Sequence, residues 1–188
     1  MTLEKTGPWP VFISVGDISA DGTERMLQAD AQARTRIAQA IDVPNIFSLA
    51  ARFHLTPRAG GRIEVEGRVT GELEQACVVT LEPLRARIDE SFLVTFVPGL
   101  KVEPLPDGEL DDDALAHLVS EPDEEPLEGD SIDLGRLAVE FFALRINPYP
   151  RKEGVVFTPP KHEADPAEHP FAALEGLKKQ TKSSPKGD

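Results

Sequence analysis

Arg62-Ile63-Glu64-Val65-Glu66-Gly67-Arg68-Val69-Thr70-Gly71-Glu72-Leu73-Glu74 alternates in polarity without a break. Ile63, Val65, Gly67, Val69, Gly71 and Leu73 share one parity, and charged or hydroxyl side chains take the other. Successive side chains of a strand point to opposite faces, so this period of two specifies a half-buried antiparallel strand. Upstream, Ala51, Phe53 and Leu55 alternate with Arg52, His54 and Thr56, and Pro57 to Gly61 supply turn residues that make the two runs a hairpin. Downstream, Ala86, Ile88, Phe92, Val94 and Phe96 fall on one face, after a corner at Glu82-Pro83. Gly67 and Gly71, two same-face glycines, are read as marks of a bulge or corner in a bent sheet and not of a ligand's approach.

Either side of this meander the period changes. Pro10 to Val15 reads as a short opening strand. Ala33, Ile37, Ala40 and Ile41 recur at helical spacing after Asp30 as N-cap, which predicts a helix over Ala31 to Ile41 that stops at Val43-Pro44. Asp133 caps a second predicted helix, with Leu134, Leu137, Ala138, Phe141 and Leu144 on its apolar face and Asn147-Pro148 at its end. The fold class that follows is α+β: an antiparallel β meander or partly closed barrel with a few flanking helices and an acidic, partly disordered segment.

The net charge of −13 is local. Between Lys101 and Arg136 there is no Lys or Arg, but there are thirteen acids, among them Asp111, Asp112, Asp113, Asp123, Glu124 and Glu125. Such a stretch buries too little apolar surface to order itself alone, although Ala114, Leu115, Leu118 and Val119 have the spacing of one short helix. The expected organisation is a single domain over residues 1–151 that contains this acidic segment at about 101–131, and a mobile tail over residues 152–188. The tail carries an apolar motif of Phe171, Leu174 and Leu177 and ends in lysines. A lone cysteine, Cys77, fits a reducing compartment, and neither a secretory signal nor a membrane span is read in the chain.

Catalytic and metal chemistry find little support. His54, His117, His162 and His169 have no ligand spacing. The run Asp107 to Asp113 lacks the turn glycine and the closing glutamate of a calcium loop, and Gly60-Gly61 precedes a strand, so it is no phosphate loop. A magnesium-dependent ribonuclease would need paired carboxylates at a concave site, for which the spacing is not diagnostic. Cys77 beside Ala76, Val78 and Val79 reads as a buried structural thiol. The expectation is a protein without cofactor or metal that is not an enzyme and works by binding a macromolecule.

Gln75-Ala76-Cys77-Val78-Val79-Thr80-Leu81-Glu82-Pro83, the strand through Phe92 to Phe96, the acidic stretch, Ile132-Asp133-Leu134-Gly135, a helix, and Asn147-Pro148-Tyr149-Pro150-Arg151 occur in this order. In that order the chain resembles the YceD family of large-ribosomal-RNA accumulation proteins over roughly Val11 to Arg151. The segment of Cys77, Leu81 and Pro83 and the Pro-Tyr-Pro-Arg segment are its most specific parts. Many members carry a second cysteine where this chain has Thr80, so the Cys-x-x-Cys pair is broken here. The resemblance implies a bacterial cytoplasmic protein, or a plastid relative, needed for accumulation of large-subunit ribosomal RNA and associated with a small ribosomal protein of that subunit.

The acids favour a basic ribosomal protein, or an assembly intermediate that contains one, over RNA, whose affinity depends on neutralising phosphates with Lys and Arg. The partner-binding candidates are Asp111, Asp112, Asp113, Asp123, Glu124, Glu125, Tyr149 and Arg151. The alternative is a direct RNA-binding module that uses Arg58, Arg62, Arg68, Arg85, Arg87, Tyr149 and Arg151 on the sheet, interleaved with Glu64, Glu66 and Glu72.

Overall fold

The alternating stretch forms the central strand of a five-stranded sheet in the computed structural model, which describes residues 7–101 and 124–157. This strand, β4 (Ile63–Ala76), pairs antiparallel with β3 (Asn45–Pro57) on one side and β5 (Pro83–Pro98) on the other. A further antiparallel strand, β2 (Thr23–Gln28), extends the sheet beyond β3, and β6 (Glu124–Leu127) adds to β5 in parallel. The order β2-β3-β4-β5-β6 leaves both edges open, so the meander does not close into a barrel. A separate two-stranded antiparallel ribbon joins β1 (Phe12–Ser14) to β7 (Ser131–Asp133). Everything described up to Val155 belongs to one unit.

The inward parity runs true along β4: Ile63, Val65, Val69 and Leu73 are all buried. Two helices cover that face, α1 (Ala31–Ala40) and α2 (Leu134–Leu144). Asp30 caps α1 by accepting from the Ala33 N–H at 2.7 Å. Asp133 caps α2 and also reaches the start of the chain, accepting from the main-chain N–H groups of Gly135, Arg136 and Val11 at 3.0 to 3.1 Å. Its carboxylate therefore fixes where the N-terminal segment crosses the helix. Gly135 completes that crossing, because a Cβ there would lie 1.7 Å from the Trp9 carbonyl oxygen. The core between sheet and helices holds Phe53, Val69, Ile37, Leu137 and Phe142, all buried.

The two same-face glycines of β4 both admit an aromatic ring. Gly71 is in register with Leu49, and a Cβ there would lie 2.6 Å from the Phe142 ring and from the Ser48 carbonyl oxygen, while the bulge lies on β3, where Phe47 is the extra residue. Gly67 sits in unbroken register opposite Phe92, and a Cβ there would lie 2.0 Å from that ring. The glycine accommodates an aromatic crossing the strand, which corrects the bulge reading at this position. Phe92 goes on to stack against Phe141 of α2, with ring centroids 3.8 Å apart.

Three strands were not legible in the sequence, β2, β6 and the three-residue β7. β2 is largely exposed, so Thr23-Glu24-Arg25-Met26-Leu27-Gln28 carries no hydrophobic alternation. β6 is the ordered end of the stretch expected to be partly disordered: Glu124 and Glu125 are half-buried strand residues. Paired backbone and counter-charges from the fold supply what apolar content does not. The other candidates of the acidic stretch, Asp111, Asp112, Asp113 and Asp123, lie outside the described residues, as do the short helix foreseen near Leu115, His117, His162, His169 and the tail motif.

Candidate functional site at the joined motif loops

The two segments that are most specific in sequence are bonded to one another across 70 to 75 residues of chain. The first is the connection between β4 and β5. It closes on itself through Cys77 N–H to the Glu82 carbonyl at 2.9 Å and Leu81 N–H to the Cys77 carbonyl at 2.8 Å. The second is the chain that leaves α2. Val78 N–H donates to the Pro150 carbonyl at 2.9 Å, Lys152 N–H to the Cys77 sulfur at 3.4 Å, and Lys152 Nζ to Glu82 Oε2 at 2.8 Å. Below them the buried Gln75 side chain donates to the Asn147 carbonyl at 2.7 Å, and Asn147 Oδ1 accepts from Tyr149 N–H at 3.0 Å.

This junction is rigid, yet it displays apolar side chains to water. Leu81 is 78% exposed, Tyr149 72% and Val78 44%. Leu81 also has φ 60°, a left-handed conformation that costs a residue with a side chain about 1–2 kcal/mol. A bulky leucine held in that conformation and 78% exposed gains little from packing among the described residues. Strain of this kind collects at binding and switching sites. Pro83 opens β5, where its missing N–H is tolerated, and Arg151 is exposed on the strand of chain between Pro150 and Lys152.

Cys77 is buried, as read from the sequence, and among the described residues it is the only cysteine. Its thiol is lowered to about 6, first by a hydrogen bond from the Thr80 side chain and next by the Lys152 main-chain N–H, with burial opposing. Thr80, at the place of the missing second cysteine, is thus the group that most favours the thiolate. Glu82 is held below the usual carboxylate range by its bond to Lys152. Leu81, Val78 and Tyr149 are the apolar and aromatic side chains that the junction offers outward.

Glu124 and Glu125, expected in a free acidic belt, are engaged: Arg62 reaches Glu124 at 3.2 Å and Arg136 pairs with Glu125. Of the residues of the RNA reading, Arg68, Arg85 and Arg87 share one end of the outward sheet face and the others lie elsewhere. Arg58 and Arg62 sit at the β3–β4 tip with Glu64 and Glu124 as partners. Tyr149 and Arg151 sit at the β4–β5 tip, a full strand away. Arg68 forks onto Asp89 with both bonds at 2.6 Å, and Arg85 and Arg87 share Glu72 at 3.4 and 3.3 Å. Gln75 was missed by sequence reasoning although a signal was there: a polar residue at an inward position of an otherwise apolar parity.

The sheet covers its core on one face, and its most specific residues lie on an exposed loop junction. The sequence model of one family, described as "Large ribosomal RNA subunit accumulation protein YceD", matches residues 65–178, more than half of the chain, and takes in both loops of the junction. The chain belongs to the YceD family, and the role that family name carries is the accumulation of large-subunit ribosomal RNA. No curated protein and no solved structure matches it. Among the described residues no helix is long and apolar enough to cross a membrane.

Proposed function

We propose that this protein supports accumulation of large-subunit ribosomal RNA as a non-catalytic assembly factor in the cytoplasm, binding a basic ribosomal protein or an assembly intermediate that presents one. The observation that carries the reading is the junction itself: Leu81, Val78 and Tyr149 are displayed on loops tied to one another by main-chain and side-chain hydrogen bonds. Apolar and aromatic side chains presented on a rigid frame are the usual anchors of protein–protein contacts. The acid-rich stretch supports the same reading by charge. Residues 102–123 hold eight acids and no Lys or Arg, a composition that speeds encounter with a basic protein and repels RNA phosphates.

The test is affinity capture from growing cells with three chains: the intact one, one carrying Leu81→Asp and Tyr149→Ala, and one carrying Asp111→Asn, Asp112→Asn, Asp113→Asn and Asp123→Asn. Glu124 and Glu125 stay, because they serve Arg62 and Arg136. The reading expects identified basic large-subunit proteins with the intact chain, their loss from the junction variant, and salt-sensitive weakening in the acid variant. Equal recovery by all three chains overturns it.

A further inference from the structure

Among the described residues nothing covers the face of the five-stranded sheet turned away from the helices, and its charge is divided between its two ends. Across one end run Glu24, His54 and Glu66 in register, with Glu64 beside them. Across the other run Arg52 and Arg68, then Gln28, Ala50, Thr70 and Asp89, then Glu72 and Arg87. This second end holds two adjoining depressions of about 470 and 460 Å³ that share Gln28, Ala50 and Thr70. Four arginines line them, Arg34, Arg52, Arg68 and Arg87, against two acids, Glu72 and Asp89.

The pairing within that set leaves a surplus of positive charge. Asp89 is taken by the fork from Arg68, and the single carboxylate of Glu72 is shared by Arg85 and Arg87. Arg34 bonds the Ala29 carbonyl at 2.8 Å, which leaves its charge uncompensated. Arg52 meets no carboxylate among the described residues and faces Arg68 across the strands. In a chain of net charge −13, this is a local basic patch on an uncovered surface.

Phe47 adds a second chemistry to the patch. The bulge of β3 places it in the lining of the depression, and the guanidinium carbon of Arg85 lies 4.2 Å from its ring centroid. The Arg85 side chain is 66% exposed, so a planar cation backed by an aromatic ring meets solvent beside the patch. Guanidinium planes and aromatic rings stack on unpaired bases, and arginines around them neutralise phosphates.

We propose that this basic end of the open sheet face binds single-stranded RNA, with Arg34, Arg52 and Arg87 on the phosphates and the Arg85–Phe47 stack under a base. The site shares no residue with the acidic stretch or the motif junction, so it holds or falls independently of them.

The test is fluorescence anisotropy of the full chain with labelled oligo(A) and oligo(U) of about ten nucleotides, and with an RNA duplex of the same length. Arg34→Ala, Arg52→Ala and Arg87→Ala are each expected to weaken single-strand binding about three- to tenfold and to lower the salt dependence by about one counterion. Arg85→Lys keeps the charge and loses the plane; it is expected to weaken binding about fivefold with an unchanged salt slope. Arg58→Ala, at the acidic end, leaves the affinity as it was. The proposal is overturned if the unaltered chain binds neither RNA, if Arg34→Ala with Arg52→Ala binds like the unaltered chain, or if duplex binds as tightly as single strand and Arg85→Lys has no effect.

Discussion

Two short stretches of this chain are equally distinctive in sequence and have opposite fates in the structure. Ile132-Asp133-Leu134-Gly135 is consumed by the fold: Ile132 and Leu134 are in the core, Asp133 caps α2 and holds Val11, and Gly135 admits the Trp9 carbonyl. Each of its residues has a structural reason. The junction of Cys77–Pro83 with Asn147–Lys152 has such reasons only for its frame, while Leu81, Val78 and Tyr149 point their apolar surface into water. A distinctive residue that stabilises nothing is the more informative kind, because packing cannot account for it.

The largest effect that would break this contrast lies in the buried stretch. Gly135→Ala forces a Cβ onto a main-chain carbonyl and is expected to cost 3 kcal/mol or more, about the upper range for overpacking, seen as a large fall in the denaturation midpoint. Gln75→Ala, at the frame of the junction, leaves the Asn147 carbonyl without its buried donor and is expected to cost about 1–3 kcal/mol. Leu81→Gly should instead stabilise, by up to about 1 kcal/mol, since glycine adopts positive φ without penalty. A loss of stability in that variant would mean that Leu81 packs on something within the chain, and the contrast would fail.

A finer effect concerns the thiol. With its native value held to about 6, below the ordinary value of about 8.5, Cys77 makes the folded chain bind fewer protons than the unfolded one between those two values. Stability is therefore expected to rise with pH through that window, and the contribution is lost as pH falls through about 6. Thr80→Val removes the largest cause and should flatten the rise, measured as denaturation midpoints at the two ends of the window. The smallest effect belongs to Lys152→Ala, whose exposed pair with Glu82 lies on the rim of the junction; a midpoint within error of the unaltered chain is expected.

What the sequence disclosed follows the amount of buried apolar surface. Strands β3, β4 and β5 and helices α1 and α2 were readable because each carries a one-sided hydrophobic pattern with a cap or a turn at its end. β2 and β6 were not, because edge strands are held by backbone pairing and ion pairs that leave no periodicity in composition. The motif segments of the candidate site were visible as a likeness, but their contact was not, since Val78 to Pro150 is a long-range main-chain bond with no local signature. Nor was the division of charge across the open face, which depends on strand register and on Glu72 serving two arginines.

The most direct measurement of the central claim is a paired one on Leu81→Asp with Tyr149→Ala: thermal denaturation of the purified chain, and capture of identified large-subunit proteins from growing cells. The account predicts a midpoint close to that of the unaltered chain together with loss of those proteins. Undiminished capture by a folded variant would contradict it.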